Sequence, residues 1–374
     1  MDKSSKKEKK SYLPEWAVDG DEDTFASVVK LGVENPGQKA FDIRPGRTGE
    51  PSIDELTEGV QKNNKTLLAR SITLVESNSP SRYSKGREIL KKIGPEPGES
   101  LRIGITGPPG AGKSTIIEEI GLELISLGYK VAILAVDPSS SLTRGSILGD
   151  KTRMERLSRI DNCFIRPSPS GGTLGGVTRK SRETILLCEA AGYDIILLET
   201  VGVGQSEVTV RSMVDLFTLI LNPGSGDELQ GIKRGVVELA DLIIVNKADG
   251  INLKKAEMTK SEYSNAVHYL LPSTEGWERE VITASAIECK GIKKIIEIAE
   301  NFRKNTMKSG IFRSRRREQA FSWTISLVEN FLKDDFYSSN SVRESMGEIK
   351  GKIINGEMLP TEGAEKLIRS YFKS

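Results

Sequence analysis

Leu101-Arg-Ile-Gly-Ile-Thr-Gly-Pro-Pro-Gly-Ala-Gly-Lys-Ser-Thr115 is the stretch that decides the fold. Its second part, made of Gly107, Pro108, Pro109, Gly110, Ala111, Gly112, Lys113, Ser114 and Thr115, reads G-x-x-x-x-G-K-[ST] followed by one more threonine. Its first part, Leu101 to Thr106, is short, apolar and β-branched, which predicts a buried strand. Beyond it, Ile116, Ile117, Ile120 and Leu124 recur at helical spacing and predict a helix from Thr115 to Leu127. Strand, glycine loop and helix in this order predict a phosphate site. Glycines lack a Cβ, so the backbone can wrap an anion closely. Successive N–H groups then point inward, and the helix start adds partial positive charge. Lys113 would bring a full charge to the β- and γ-phosphates, and the Ser114 hydroxyl would bind Mg2+.

Working outward, the following segments read as strands that each deliver polar residues at their carboxyl ends. Tyr129 to Val136 runs into Asp137-Pro-Ser-Ser-Ser141, and an acid there falls at the crevice where ligands of such sheets bind. The long polar loop 141–153 follows, with Arg144 and Asp150 as candidates for ordering around phosphate and metal. Asn162 to Arg166 is a third strand, Pro167 to Gly176 a glycine-rich linking or partner-facing loop, and Val177 to Ala191 a helix. Tyr193 to Glu199 is almost wholly apolar and so central. It ends in Glu199-Thr-Val-Gly202-Val-Gly-Gln205, an acid-x-x-Gly loop. Glu199 would hold the metal or its water, and the Gly202 N–H would sense the γ-phosphate. Ras-like proteins have a glutamine directly after that glycine; here Val203 follows, so their water-positioning device does not transfer unchanged.

Leu216 to Leu221 is the next strand, and the loop after it, 222–234, carries Asp227, Glu228 and Lys233. Leu242 to Val245 then delivers Asn246-Lys247-Ala-Asp249, the N-K-x-D pattern. An Asp249 carboxylate can accept both N1–H and the exocyclic amino group of guanine, whereas adenine presents neither in that arrangement. Lys247 would lie over the ring and Asn246 would tie this loop to the glycine loop. Ser285, Ala286 and Ile287, after the strand Glu280 to Thr283, would offer backbone N–H groups to the guanine O6.

The totals narrow the choices. A chain of 374 residues exceeds one small domain. A net charge of +2 gives no nucleic-acid footprint. Three scattered cysteines suit a reducing, cytoplasmic setting and lack metal-ligand spacing. The one histidine, His268, reads as a partly buried or surface residue rather than a ligand. No apolar run reaches the ~18 residues of a membrane span, and the charged first ten residues do not read as a secretory or transit signal. The expected organisation is a polar arm over 1–50, a helical lobe over 51–98, the nucleotide domain over 99–308 and a helical extension over 309–374. In the lobe, one helical pattern runs from a Ser52-x-x-Glu55 capping box to Glu76 and a second from Ser81 to Ile93. In the extension, Arg313, Arg315, Arg316 and Arg317 precede Phe321, Trp323, Ile325, Leu327, Val328 and Phe331. The arginines fit either a solvated face or a binding patch, and the amphipathic helices either a second subunit or the chain's own core.

Together, Gly107–Thr115, Asp137-Pro-Ser-Ser, Asp150, Glu199–Ser206, Pro223–Gly231, Asn246–Asp249 and Ser285-Ala-Ile resemble the MeaB family, also called ArgK, GTPases associated with methylmalonyl-CoA mutase. The resemblance covers roughly residues 55 to 335 and includes Ile72–Ser77. It implies an α/β P-loop NTPase fold, a three-layer sandwich on a mostly parallel sheet, with GTP or GDP and Mg2+ as ligands. It implies a homodimer joined partly through C-terminal helices. It implies a cobalamin-dependent acyl-CoA mutase as partner, with GTP hydrolysis gating adenosylcobalamin loading and removal of damaged cofactor. Lys113 and Ser114 would serve phosphate and metal, and Asp137, Asp150 and Glu199 the acidic shell. The 227–233 loop would be a third switch whose Lys233 reaches phosphate when the partner docks. A nickel-insertion GTPase is the alternative, disfavoured by the scarcity of histidine and cysteine. A protein-targeting GTPase would want a methionine-rich or RNA-binding domain, and a small-molecule kinase sits poorly with N-K-x-D.

Overall fold

Seven apolar runs form a single sheet. They are β1 (Leu101–Thr106), β2 (Val131–Val136), β3 (Cys163–Arg166), β4 (Ile195–Thr200), β5 (Leu216–Leu221), β6 (Leu242–Val245) and β7 (Glu280–Thr283). The spatial order is β3-β2-β4-β1-β5-β6-β7, and every pairing is parallel. The architecture is a computed structural model that describes residues 50–94, 98–136, 154–167, 174–200, 206–224 and 234–372. Asp137, Arg144, Asp150, Gly202, Gln205, Lys233, the arm up to residue 49 and the glycine-rich stretch 168–173 lie outside the described residues.

Parallel strands need crossovers that cover both faces, so central strands are apolar throughout. Every residue of β4 and of β5 is accordingly buried. Alternate side chains still part to opposite sides. Ile195 and Leu197 join Ile103, Ile105 and Ile133 under α4 (Lys113–Ser126) and α10 (Ile292–Ser309). Ile196 and Leu198 join Ala132, Leu134 and Phe217 under α1 (Ile53–Gln61), α2 (Lys65–Val75), α3 (Pro80–Ile93), α6 (Leu174–Ala190) and α7 (Ser206–Arg211). Leu56, Val60, Leu68, Ile72, Val75 and Ile89 of α1–α3 therefore bury into the sheet's own apolar layer rather than into a separate core. The result is the three-layer α/β sandwich that the family resemblance implies. Short α5 (Glu155–Ser158) and α8 (Arg234–Leu239), and the longer α9 (Leu253–His268), complete the crossovers.

Several boundaries differ from the sequence expectation. The helix expected from Ser52 to Glu76 is two helices. The capping box is present, Ser52 Oγ accepting from Glu55 N at 3.1 Å and Glu55 Oε2 from Ser52 N at 2.8 Å. The chain then turns at Asn63, which takes φ 55°, and Asn64 Oδ1 accepts from the N–H groups of Thr66 and Leu67 to start α2. Asparagine tolerates the left-handed region and caps well, worth about 1 kcal/mol. The apolar repeat spans the break because it records a shared face, not continuity of the backbone. β2 and β3 begin later than Tyr129 and Asn162, because those residues join the turns into the strands. The helix expected from Val177 starts at Leu174; Gly175 and Gly176 lower local helix propensity by about 1 kcal/mol each and hid its first turn. Lys113 and Ser114 lie inside the first turn of α4, two residues ahead of the expected start.

After α10, Gly310 turns the chain with φ 79° into α11 (Ile311–Ser338), followed by α12 (Asn340–Ile354) and α13 (Pro360–Phe372). His268 is exposed at the end of α9. Among the described residues, no helix is long and apolar enough to cross a membrane.

Candidate functional site

The site forms where β1, β4, β6 and β7 end. Thr106 pairs with Leu219 of β5 and Ile105 with Glu199 of β4, so the chain leaves β1 between those two strands. Gly107 has φ 153°, and a Cβ there would stand 2.2 Å from the Ile220 carbonyl oxygen. No side chain fits, which explains the first glycine of the loop. Gly112, at φ 83°, precedes α4, and a Cβ there would meet Asn246 Nδ2 at 2.5 Å. The loop is thus pressed against two neighbouring strand ends, and its amides have few conformations to lose on gripping an anion.

Lys113 starts α4 and folds back across the loop, its Nζ donating to Gly107 O at 2.8 Å and Pro108 O at 3.2 Å. The ammonium therefore already lies across the loop's mouth. Ser114 Oγ donates to Glu199 Oε1 at 2.8 Å. One residue further along, Thr200 Oγ1 donates to Thr106 Oγ1 at 2.9 Å, with both threonines fully buried. The sequence reading passed over this hydroxyl pair. Its only signal is a threonine at the end of each of two strands, which carries no meaning until their adjacency is known.

A hydroxyl and a carboxylate side by side are hard oxygen donors. Mg2+ is ordinarily held by one or two carboxylates together with phosphate oxygens and water, so Ser114 and Glu199 fit that ion. Among the described residues no group of three or more His, Cys, Asp or Glu side chains could hold a metal unaided.

The second half comes from β6 and β7. Asn246 Nδ2 donates to Ala111 O at 2.8 Å, and Lys247 Nζ donates to Gly110 O at 2.6 Å. Asn246 Oδ1 accepts from Ala286 N at 3.4 Å. Lys247 sits at φ 58°, a conformation that costs a non-glycine residue about 1–2 kcal/mol. The neighbouring Ala248 N donates to Ala284 O at 3.0 Å and helps hold it there. Asp249 Oδ2 accepts from Ser285 Oγ at 2.6 Å. Ser285 Oγ accepts in turn from Glu288 N at 3.1 Å, and Ser285 and Lys290 exchange backbone hydrogen bonds at 3.0 Å. Ser285 and Ala286 are buried, whereas Ile287 is 81% exposed at the loop's tip.

The structure therefore gathers Gly107 to Thr115, Glu199, Asn246, Lys247, Asp249 and Ser285 to Ile287 at one sheet edge. Two hydrogen bonds from adjacent residues of the N-K-x-D loop reach adjacent carbonyls of the glycine loop, which fixes the two loops side by side. Asp137, Asp150, Gly202 and Lys233 fall outside the described residues. The arginine run turns out to be neither fully solvated nor a patch. Arg313 and Arg317 are exposed, but Arg316 is buried at the opposite sheet edge, holding Asp215 with Nε at 2.9 Å and Nη2 at 2.7 Å.

Comparison with known proteins adds a family. The model described as methylmalonyl Co-A mutase-associated GTPase MeaB matches residues 68–341. A probable GTPase of Mycobacterium bovis is 46% identical over 319 residues, covering 85% of this chain and 95% of that protein. The mitochondrial methylmalonic aciduria type A homolog of Mus musculus is 42% identical over 329 residues, covering 85% and 79%. Among solved structures, the crystal structure of an LAO/AO transport system kinase aligns with a TM-score of 0.69 at 34% identity, over 88% of this chain and all of that one.

Proposed function

The chain belongs to the MeaB family of methylmalonyl-CoA mutase-associated GTPases, and from that premise we propose that it is a chaperone for a cobalamin-dependent acyl-CoA mutase. In this reading GTP binding and hydrolysis gate delivery of adenosylcobalamin and exchange of damaged cofactor. The chain itself works in the cytoplasm as a homodimer with Mg2+ at its nucleotide site. GTP hydrolysis is common to the family and its named relatives. The mutase, the cofactor traffic and the dimer are the proposed steps.

The observation that carries the reading is the pair of ties from Asn246 to Ala111 and from Lys247 to Gly110. With them in place, a guanine over Lys247 and facing Asp249 brings its phosphates over the N–H groups of the glycine loop. Asp249 accepts from N1–H and the exocyclic amino group with its two oxygens while the Ser285 hydroxyl donates to a second lone pair of Oδ2, so Ser285 orients the base reader. The Lys113 ammonium exchanges two carbonyl partners for phosphate oxygens, trading neutral acceptors for charged ones and so adding charge–charge attraction. Ser114 and Glu199 would hold the metal ion, whose charge offsets the negative charge building up on the phosphate oxygens. Glu199 leads straight into the acid-x-x-Gly loop, so loss of the γ-phosphate removes a partner of that loop and lets it relax. With Val203 where a Ras-type glutamine would stand, unassisted turnover is slow and the partner accelerates it.

The exposed side chains Phe321, Ile325, Val328, Phe331 and Leu332 along α11 support the dimer part of the reading, because an unpaired apolar face of this kind marks an association surface. The test is to mix the purified chain with methylmalonyl-CoA and isobutyryl-CoA mutases under GDP and under GTPγS. We expect one mutase to co-elute in a nucleotide-dependent way and to raise GTP turnover severalfold. Fast hydrolysis indifferent to every cobalamin-dependent mutase offered would overturn the assignment.

A further inference from the structure

At the edge of the sheet remote from the glycine loop, two arginines from different elements hold the same two acceptors. Arg211 ends α7, the short helix that follows the acid-x-x-Gly loop. Its Nη1 donates to Asp215 O at 3.2 Å and its Nη2 to Thr274 Oγ1 at 3.1 Å. Arg315 lies in the first turns of α11, and its Nη1 and Nη2 donate to the same Asp215 O and Thr274 Oγ1 at 2.8 and 2.7 Å. α11 holds the turn between α7 and β5 at two further points. Arg316 grips the Asp215 carboxylate, and Gln319 Nε2 donates to Val214 O at 2.9 Å. Arg182 of α6 bridges the two sides, donating to Ser212 O at 2.8 Å and to Gln319 O at 3.3 Å.

We propose that Arg211 and Arg315 couple the state of the nucleotide loop to α11, so that α11 carries the nucleotide state to its exposed apolar face. The inference rests on the reading above in one respect: the loop 199–205 must respond to the γ-phosphate. The rest is mechanics. α7 has six residues, about 9 Å of helix, so a displacement at Ser206 reaches Arg211 as a rigid-body motion rather than being absorbed. Arg211 cannot shift without loosening the acceptors it shares with Arg315. The Arg211 side chain is only 12% exposed beside the Asp241 carboxylate, with Nη1 at 3.1 Å, so an intermediate that leaves it unpaired is costly. A two-state element biased from both ends is the physical requirement for coupling. α11 extends 28 residues from this grip, and the apolar side chains from Phe321 to Leu332 follow within its next turns. A small tilt at Arg315 therefore re-aims the face offered to a partner or second subunit. The arginines act through α7, as positioning residues, and touch no substrate.

The experiment is hydrogen exchange on the full chain with GDP and with GTPγS, alongside direct measurement of nucleotide affinity. Amides over 311–332 should exchange about threefold or more differently in the two states. Arg315→Ala should abolish that difference while leaving GDP affinity within about twofold of the parent. Gln319→Ala, which removes one neutral hydrogen bond and no charge, should reduce the difference, and it serves as the test if Arg315→Ala does not fold. Arg313→Ala, an exposed neighbour on the same turn, should leave it intact. Tight GTPγS binding with identical exchange in the two states, or a difference that survives both Arg315→Ala and Gln319→Ala, overturns the coupling and leaves the nucleotide site standing. Failure to bind GTPγS at all overturns the nucleotide reading and the coupling with it.

Discussion

Where β1, β4 and β6 end, the chain leaves the sheet through Gly107, Thr200 and Asn246, and neighbours meet through single hydroxyl, amide or ammonium contacts. Where β1, β5 and β6 begin, aspartates do the joining. Asp215 accepts from Arg102 N at 2.9 Å and takes both prongs of Arg316. Asp241 accepts from Phe217 N at 2.9 Å and from Ser273 Oγ at 2.6 Å, with Arg211 against it. Ahead of β2 and β4 the exposed Asp194 does the same for Lys130 N at 2.8 Å. One edge of the sheet is held by single hydrogen bonds from hydroxyl, amide and ammonium groups to uncharged oxygens, which a ligand can displace. The other is held, at Asp215 and Asp241, by buried, charge-assisted bonds that are costly to open. The contrast follows from use: a phosphate site must exchange its partners at each turnover, and the opposite edge must keep the strands in register while it does.

The sharpest way to break the contrast is Arg316→Ala. This guanidinium also reaches Glu189 at 3.1 Å and the Gly98 carbonyl at 2.5 Å; its loss strips the buried Asp215 carboxylate of its two-pronged partner, while Glu189 keeps Arg102 at 2.8 and 2.7 Å. Removing one partner of a buried ion pair costs about 3–5 kcal/mol. Urea unfolding should show a loss of that order, whereas GDP affinity of the folded fraction should change little. A loss below ~1 kcal/mol would mean that the charged edge contributes no more than a surface pair does.

Asp249→Asn probes the exchangeable edge. The amide cannot accept from both guanine donors, so GTP binding should weaken by about 2–3 kcal/mol, the worth of hydrogen bonds to a charged group. Xanthosine triphosphate, whose base offers an acceptor in place of the amino group, should then be preferred. The melting temperature should barely move, since the Ser285 hydroxyl can still bond the new side chain. Calorimetric titration of both nucleotides decides it, and unchanged GTP affinity would remove Asp249 from the base site.

These two edges also differ in how far they were legible in the amino-acid order. The fold was largely visible, because the strands are short, mainly apolar and β-branched runs and the main crossovers have helical spacing. Members of the nucleotide edge stand together in short motifs, Gly107 to Thr115, Asn246 to Asp249 and Ser285 to Ile287, whose spacing is dictated by local backbone geometry. The charged edge has no such signature. Arg316 meets Asp215 and Glu189, each more than a hundred residues upstream, and nothing in Arg-Ser-Arg-Arg-Arg distinguishes the buried member from its exposed neighbours. The same limit applies to Thr106 and Thr200. The break at Asn63 was missed for a different reason: the apolar repeat crosses it in phase.

A third buried carboxylate, away from both edges, tests whether burial alone accounts for the behaviour of the aspartates. Glu183 of α6 lies under α3, where Tyr83 Oη donates to it at 2.8 Å and Arg179 stands 3.4 Å away above the Tyr83 ring. Burial pushes its pKa up to about 7, against the opposing pull of the Arg179 charge, the Tyr83 hydrogen bond and the Arg87 charge. A carboxyl whose folded pKa exceeds its unfolded value binds extra protons in the native state. Its contribution to stability is therefore full below about pH 4.5 and disappears as pH rises through about 7. Between pH 6 and 8 that amounts to a loss of about 1 kcal/mol. Glu183→Gln keeps an acceptor for Tyr83 and cannot titrate, so its unfolding free energy should fall less steeply over that interval, by about the same amount. A slope identical to the parent's would mean that Arg179 holds Glu183 ionised throughout. One monodentate guanidinium at 3.4 Å would then suffice to keep a buried carboxylate charged, and the two-pronged grip on Asp215 would need another explanation than charge.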